Sequence, residues 1–426
     1  MTAVIGVLNK QAIAVAADSA VTISGYNGRK ILNTANKIFT LSKYHPVGVM
    51  IYNSASFMST PWEVIIKLYR EQLGTDKQST LEDYIGDFIS FLKSKDYFTN
   101  TEFQRLALKD LLLNIFNIIN GQALAYDVNT QNKDEVVNAI KAELDKLHSQ
   151  ITEDGTYCEE FEDYKFEEFD AYSKAIFEEA YRIMYEDNDC ALDDSYKEKL
   201  KRVFFEHLRS RYFLNFFTGL IFVGFGDSEI FPSLIPLNIS GVIDNRIRYF
   251  IDENGVAKVG LEMGSAIRPF AQTDVINTVL SGVDPSLDNI YINQFRDFFV
   301  KYNQAVVNSF AGDVKTAVSE GLRNIDVDNL TREYGKQMQL VLQNNYVEPL
   351  MDAVASLSKE DLAEMAESLI YLTYLKRRIT FAEESVGGPV DVALISKCDG
   401  FIWMKRKHYF KPELNHHFFA NYLNRP

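Results

Sequence analysis

Residues 2–18 read TAVIGVLNKQAIAVAAD, and this stretch decides how the rest of the chain is interpreted. Two apolar runs, AVIGVL and AIAVAA, are separated by the polar tripeptide NKQ. Short apolar runs bounded by a polar turn are typical of two β-strands joined in a hairpin. The sequence therefore predicts that the chain opens with a hairpin, with Thr2 at its beginning and Asp18 at its end.

Strand-like patterns extend from this hairpin and return twice later in the chain. KIFTL and VGVMIY follow a polar, glycine-containing loop at 23–36, so the first sixty residues predict a sheet of four short strands. A second group of strands begins near residue 218 with GLIFVGFG, and VDVALIS and FIWMKRKHYF close the chain as a hairpin. Between these groups, 61–217 and 281–365 have the apolar spacing of helices. This succession predicts an α+β fold with large helical insertions.

Composition excludes several classes of function. The chain has 426 residues, 46% of them hydrophobic, which is enough for a substantial core. Its formal charge of −15 argues against nucleic-acid binding and against an anionic membrane surface. No run of 18 apolar residues occurs, so no membrane span is expected. The three cysteines form no CxxC pair, which favours a reducing cytoplasm over a disulfide framework and predicts no structural zinc. No cofactor or metal site is predicted.

The second half of the first helical segment is strongly acidic. Residues 151–195 contain sixteen Asp or Glu and three Lys or Arg. Such a run is usually a solvated helical face, and the alternative is a docking surface for a basic protein partner.

Thr2 could act as a catalytic residue if Met1 is removed, because one residue then carries both a hydroxyl nucleophile and a free α-amine. The unperturbed pKa of an α-amine is about 7.7–8.0, so a modest decrease leaves it able to accept the hydroxyl proton. A nearby lysine ammonium would favour that decrease, provided that a carboxylate holds the lysine in place. Lys37 and Asp18 are the candidates for these two roles.

The arrangement resembles the catalytic β-subunits of proteasomes and the related ATP-dependent bacterial ring protease. In that family an N-terminal Thr is followed sixteen residues later by Asp, and Thr2 and Asp18 have the same spacing. The segment NKIF, with Lys37, resembles the family's Ser-Lys-Ile segment after an insertion of about three residues. The resemblance implies that the turn after VGVMIY supplies an oxyanion donor, the backbone N–H of Ser54. The family usually has Gly there, so Ser54 requires a negative φ.

Two later segments extend the resemblance. Gly264-Ser265-Ala266 is similar to the family's Gly-Ser-Gly segment, which implies that Ser265 lies near the amine of the nucleophile. The segment EESVGG is similar to the family's Asp-x-x-Ser-Gly-Gly hairpin, with Glu383 at the position of Asp and Val386 at the position of Ser. Val386 cannot form the side-chain hydrogen bond of a serine, although Ser385 could turn inward instead.

The resemblance implies a four-layer αββα sandwich of the N-terminal-nucleophile (Ntn) hydrolase type. The expected organisation is a discontinuous core of 1–60, 218–280 and 366–410, helical insertions at 61–217 and 281–365, and a tail at 411–426. The expected activity is threonine-dependent hydrolysis of peptide bonds in a peptide or protein substrate, with possible self-assembly. Two alternatives remain open: a catalytically inert interaction protein with the same fold, and an amidase or acylase that acts on a small molecule.

Overall fold

The structure is a computed structural model, and it describes residues 2–25, 28–125, 128–214, 216–380, 386–408, 410–417 and 420. Two compact units are found. The first consists of Met1–Ala35, Lys258–Ser396 and Ile402–Arg425, and the second of Asn36–Ala257, Lys397–Phe401 and Pro426. Each unit combines a β-sheet with helices, in agreement with the α+β class that the sequence predicts.

The strands of the described residues, in chain order, are β1 (Ala3–Asn9), β2 (Ile13–Ala17), β3 (Val21–Gly25), β4 (Gly28–Leu32), β5 (Ile38–Thr40), β6 (Val47–Asn53), β7 (Ser56–Phe57), β8 (Thr60–Pro61), β9 (Thr218–Gly224), β10 (Ser233–Ile243), β11 (Arg246–Ile251), β12 (Ala257–Lys258), β13 (Ser265–Ala271), β14 (Asp391–Ser396) and β15 (Gly400–Lys405).

The α-helices of the same residues are α1 (Trp62–Leu73), α2 (Leu81–Lys93), α3 (Asp96–Thr99), α4 (Thr101–Ala123), α5 (Lys133–Asp154), α6 (Phe166–Tyr181), α7 (Asp194–Arg209), α8 (Asp274–Ser281), α9 (Pro285–Asn308), α10 (Gly312–Arg323), α11 (Val327–Leu342), α12 (Glu348–Ala355) and α13 (Lys359–Ile379). Two π-helical segments, Arg182–Glu186 and Gln343–Val347, continue α6 and α11.

The first unit is built on a five-stranded sheet in the order β13-β1-β2-β14-β15. β1 is antiparallel to both of its neighbours, β13 and β2. One face of the sheet packs against α8, α12 and α13 in an apolar cluster. Ala14 and Ala16 on β2, and Ala12 directly before it, belong to this face, and their small side chains leave α13 room to lie close to the sheet.

Helix α13 begins with a capping box that sets its start. Ser358 accepts a hydrogen bond from the Asp361 N–H, and the Asp361 carboxylate accepts one from the Ser358 N–H. Such reciprocal caps satisfy two of the donors that every helix leaves unpaired in its first turn. The buried face of α13, which includes Leu362, Ala366 and Ile370, then lies along β1 and β2.

The second unit is built on a six-stranded sheet in the order β11-β10-β9-β6-β5, with β12 also paired to β10. Helices α1 and α2 cover one face of this sheet and form an aromatic-rich cluster with it. Helices α4–α7 form a separate cluster of their own, with Phe116, Phe177 and Phe204 among the fully buried side chains.

The structure differs from the sequence expectations at two places in these segments. α1 and α2 fall within the predicted insertion 61–217, yet they are the layer that covers the six-stranded sheet. The predicted loop at 23–36 contains β4 and the end of β3, which pair with each other; their short sequences, VTISG and GRKIL, give a weak strand signal. The wider division into a discontinuous core and two insertions stays a prediction.

In the described part of the chain, no helix is both long enough and apolar enough to cross a bilayer. The cysteines Cys158, Cys190 and Cys398 are free thiols, and they are buried, half-buried and exposed respectively.

Candidate active site

Thr2 lies immediately before β1 and is 94% buried, since only 6% of its surface is exposed. Its carbonyl oxygen accepts a hydrogen bond from the Gln272 N–H at 3.2 Å, which ties the beginning of β1 to the segment that follows β13. Met1 lies outside the described residues. Thr2 is thus held at the end of a strand whose seven residues are all buried.

Asp18 lies beside Thr2, because β1 and β2 are antiparallel and Asp18 directly follows β2. Its Oδ1 accepts the Ala3 N–H at 2.9 Å, and its Oδ2 accepts the N–H groups of Ala20 at 3.0 Å and Gly387 at 3.1 Å. The carboxylate is 1% exposed. Three backbone donors therefore surround a buried anionic side chain next to the Thr2–Ala3 peptide bond.

The turn that carries Gly387 and Gly388 is connected to Asp18 and Ser19. The Ser19 N–H donates to the Gly387 carbonyl at 3.0 Å, and the Ser19 hydroxyl donates to the Pro389 carbonyl. Gly388 has φ +75°, and a Cβ there would lie 2.9–3.2 Å from atoms of Asn33 and Ser19, so only glycine fits. The structure thus brings two of the sequence-predicted segments together, the Asp18 turn and the double-glycine turn.

Val386 precedes that turn and is 1% exposed. It belongs to the apolar cluster between the five-stranded sheet and α13. An apolar side chain therefore occupies the position where the sequence resemblance implies a serine. Glu383 and Ser385 lie outside the described residues.

Lys37 belongs to the second unit and directly precedes β5. Its carbonyl accepts the Ile51 N–H at 2.8 Å, so Lys37 lies beside the C-terminal end of β6. The side chain is 3% exposed. Burial of an ammonium group is rare in proteins, and it is a common property of lysines in functional sites.

Ser54 follows the same end of β6, and it is half-buried. Its φ is not positive, as its predicted role requires, and the left-handed conformation falls instead on Asn53, with φ 68°. The Asn53 side chain donates to the Phe217 carbonyl at 2.8 Å and so fixes the turn. Among the described residues, no backbone carbonyl accepts the Ser54 N–H.

Tyr52 supports this turn from inside the sheet. A Cβ on Gly219 would lie 1.8 Å from the Tyr52 ring, so the ring needs glycine on the neighbouring strand β9. The Tyr52 hydroxyl donates to Asn238 Oδ1 at 3.1 Å. Burial, and then the charge of Asp252, raise the pKa of Tyr52 well above its usual range, so it stays neutral.

The structure does not bring Ser265 to Thr2. In the antiparallel pairing of β13 with β1, Ser265 is opposite Asn9 and Ala271 is opposite Ala3. Ser265 is therefore at the far end of β1, and its hydroxyl donates to the Met351 carbonyl at 2.6 Å. The role near the Thr2 amine that the resemblance implies for Ser265 is therefore corrected. β13 begins beside Asn9, far from Thr2, and only its last residue, Ala271, lies beside Ala3.

The residues that do reach Thr2 from this side are Gln272 and, through it, Arg377. Gln272 is buried, and its Oε1 accepts a hydrogen bond from Arg377 Nε. Arg377 also pairs with Asp274 at the first turn of α8. The sequence contains a signal for this turn, because Thr273-Asp274 before the apolar run VINTVL is a helix-start pattern.

A pocket of about 550 Å³ opens at the Ser265 end of β13. Its lining includes Arg268, Glu348 and Met351, with residues 262–268 along one side. Desolvation lowers the pKa of Arg268. Because β13 pairs with β1 in the register given above, this pocket lies at the Asn9 end of β1 and is separate from Thr2. Within the described residues, no group of three or more His, Cys, Asp or Glu is arranged to hold a metal ion.

No protein-family model matches the chain, and no curated protein does. It is similar to a solved structure of the Anbu (Gly-1) mutant from Hyphomicrobium sp. strain MC1, with 9% identity over 99% of this chain and 95% of that chain. The TM-score of that pair is 0.31, and a likeness of this size carries no argument about fold or activity.

Proposed function

We propose that this protein is a threonine-dependent Ntn hydrolase that cleaves amide bonds through an acyl-Thr2 intermediate. The observation that carries the proposal is the buried Asp18 carboxylate, which accepts hydrogen bonds from the peptide N–H next to Thr2 and from the double-glycine turn. A buried anion at the end of an otherwise apolar strand costs free energy of folding, and such groups are concentrated at functional sites.

In the proposed reaction, the Thr2 hydroxyl oxygen attacks the carbonyl carbon of the substrate, and the α-amine of Thr2 accepts the hydroxyl proton. The Ser54 N–H stabilises the resulting oxyanion. The C–N bond then breaks as the amine returns the proton to the leaving group. Water, activated by the same amine, attacks the Thr2 ester and releases the acid.

Lys37 and Asp18 would support this chemistry by charge. A lysine ammonium favours the neutral form of a nearby amine and stabilises a developing alkoxide. In our proposal Asp18 orients Lys37, and Gln272 fixes the backbone of Thr2. Glu383 is a proposed second support for the amine, whereas Ser265, at the far end of β1, has no role in this mechanism.

The proposal includes the four-layer αββα sandwich. Each sheet has helices on one face, and the alternate residues on the other face are also buried, for example Val4 and Leu8 on β1 and Ile221 and Val223 on β9. A sheet buried on both faces is what the inner layers of such a sandwich require.

A catalytically inert protein of the same fold is the second candidate, and Val386 is the observation that favours it. Val386 is buried in an apolar cluster and has no hydroxyl, so it cannot help to orient the amine as a serine would. A small-molecule amidase shares the proposed chemistry, so a panel of peptide and small acyl-amide substrates separates the two.

The test combines intact mass with covalent labelling. We expect the purified full chain to have lost one Met residue, and a peptide boronate, epoxyketone or β-lactone to form an adduct on Thr2. Thr2→Ser should retain labelling because it keeps the hydroxyl and the amine, whereas Thr2→Ala should lose it. Retention of Met1, or an adduct on the exposed Cys398 that survives Thr2→Ala, would contradict the assignment and favour the inert protein.

A further inference from the structure

Helix α9 exposes a row of large apolar side chains to solvent. The exposed fractions are 62% for Phe298, 57% for Tyr291 and 57% for Tyr302, and Leu287 and Ile290 are exposed to 39% and 48%. At 3.6 residues per turn these positions fall on one face of the helix. We call this row the α9 stripe, formed by Leu287, Ile290, Tyr291, Phe298 and Tyr302.

Other residues of α9 make its contacts with the rest of its own unit. Phe295 stacks on Tyr334 of α11 with ring centroids 4.2 Å apart, and Ile292 lies against Gly335 of the same helix. The stripe therefore does not serve the packing of α9 on α11. Clustered exposed apolar side chains of this kind mark interaction surfaces.

The spacing of four of the five stripe residues is symmetric along the helix. Leu287 and Tyr302 are centred on the point between Gln294 and Phe295, and so are Tyr291 and Phe298, whereas Ile290 has no counterpart in the stripe. If a second α9 lies antiparallel across a two-fold axis at this midpoint, Leu287 meets Tyr302 and Tyr291 meets Phe298 of the second copy. The same surface then matches itself, as a two-fold interface requires.

Charge and area are consistent with this occupant. The chain has a formal charge of −15, but α9 contains two acidic and two basic residues, so it is locally neutral where two copies would meet. Gln294 lies at the centre of the stripe and is exposed, and an amide can both donate to and accept from its own symmetry mate. The exposed parts of five large side chains on each copy amount to roughly 1,000 Å², about the lower limit for a specific interface.

We propose that a second copy of this chain docks antiparallel on the α9 stripe and forms a two-fold dimer. The inference does not depend on the proposed hydrolase activity, since none of these residues belongs to the candidate active site.

The first experiment measures the mass of the full chain by sedimentation equilibrium over a range of concentrations. We expect a monomer–dimer equilibrium, and Phe298→Glu should raise the dissociation constant by about 30-fold or more, because the new charge would face Tyr291 of the second copy. Val300→Glu is the matched control: it also places Glu at an exposed apolar position of α9, but on the opposite face, and should change the constant by less than about 3-fold.

The second experiment tests the orientation with a short thiol cross-linker, in a background in which Cys190 and Cys398 are replaced by Ser. Gln294→Cys should cross-link to its own symmetry mate. Leu287→Cys should not, because antiparallel copies of this position lie roughly 22 Å apart along the axis. A monomer at all concentrations, a dimer that tolerates Phe298→Glu, or efficient cross-linking of both cysteine variants, which indicates a parallel pair, would overturn the proposal.

Discussion

The two ends of strand β1 both hold a fully buried polar side chain, but of different kinds. At the beginning, the Asp18 carboxylate accepts hydrogen bonds from the N–H groups of Ala3, Ala20 and Gly387. At the other end, Asn9 donates through Nδ2 to the carbonyls of Val354 and Leu357 and accepts through Oδ1 from the N–H groups of Gln11 and Ala12. The Asn9 amide is neutral, and both its donor and its acceptor groups have hydrogen-bond partners. A structural role, connecting β1 to the end of α12, therefore accounts for it.

Asp18 does not have that simple explanation. An asparagine would satisfy part of the same geometry without the cost of burying a charge, so the presence of a carboxylate indicates a requirement for negative charge at this end. From this comparison we expect chemistry at the Thr2 end of β1 and a structural role at the Asn9 end. Four substitutions test this difference.

The largest effect is expected at Thr2. Thr2→Ala should reduce the turnover of amide substrates by about 10⁴-fold or more, the scale seen when one member of a cooperating catalytic set is lost. Thr2→Ser, which retains a hydroxyl, should keep measurable turnover, and both variants should show the wild-type circular dichroism spectrum. Assays with fluorogenic peptide amides check this, and full activity of Thr2→Ala would remove the nucleophile from the proposed mechanism.

At the other end, Asn9→Asp should lower the free energy of unfolding by about 3–5 kcal/mol, because a new carboxylate would face the Val354 and Leu357 carbonyls without a counter-charge. The folded-state pKa of the new carboxyl would be raised, so the deficit should shrink as the pH falls toward 4. Urea unfolding at several pH values measures it. Gln11→Asp, at an exposed position two residues later, is the control and should have little effect. A cost as small as that of the control would mean that the Asn9 network carries no stability.

Asp18→Asn should have an intermediate effect of both kinds. The new NH₂ group would face at least one of the three N–H donors, which costs about 1–3 kcal/mol of unfolding free energy. Turnover should fall by roughly 10²-fold or more, because the negative charge that orients the proposed lysine is lost. Parallel measurement of urea unfolding and turnover separates the two effects. If stability falls while turnover is unchanged, Asp18 is a structural residue like Asn9.

The smallest effect is expected for Ser265→Ala. It removes the hydroxyl that donates to the Met351 carbonyl, which should cost about 1 kcal/mol of stability. Turnover should stay within about 2-fold of wild type, since Ser265 lies at the Asn9 end. The substitution removes a hydroxyl, as Thr2→Ala does, so the two variants form a matched pair. A large loss of turnover with Ser265→Ala would place chemistry at both ends of β1.

Much of this comparison could be predicted from local sequence. The hairpin between Thr2 and Asp18 follows from two apolar runs and a polar turn, and the closing strands β14 and β15 follow from alternation. The family resemblance singled out both the Asp18 turn and the double-glycine segment, but their contact through Gly387 is seen only in the structure. These features depend on short-range patterns or on several motifs read together.

The error at Ser265 arose because a short Gly-Ser motif does not reveal the direction of its strand. Only the pairing with β1 shows that β13 begins at Asn9 and ends at Thr2. The contacts of Gln272 and Arg377 were missed for a related reason, since they join positions 105 residues apart. That α1 and α2 cover a sheet, whereas α9 keeps an exposed stripe, also depends on tertiary packing that periodicity alone does not determine.

The three small alanines at β2 affect the candidate active site through α13. Ala12, Ala14 and Ala16 set the distance between α13 and the sheet, and the last turn of α13 carries Arg377, which donates a hydrogen bond to Gln272. Close-packed interiors transmit a change in volume instead of absorbing it. An added methyl group on one of these alanines would therefore displace α13, and Arg377 and Gln272 would transmit the displacement to the backbone of Thr2 at the beginning of the neighbouring strand.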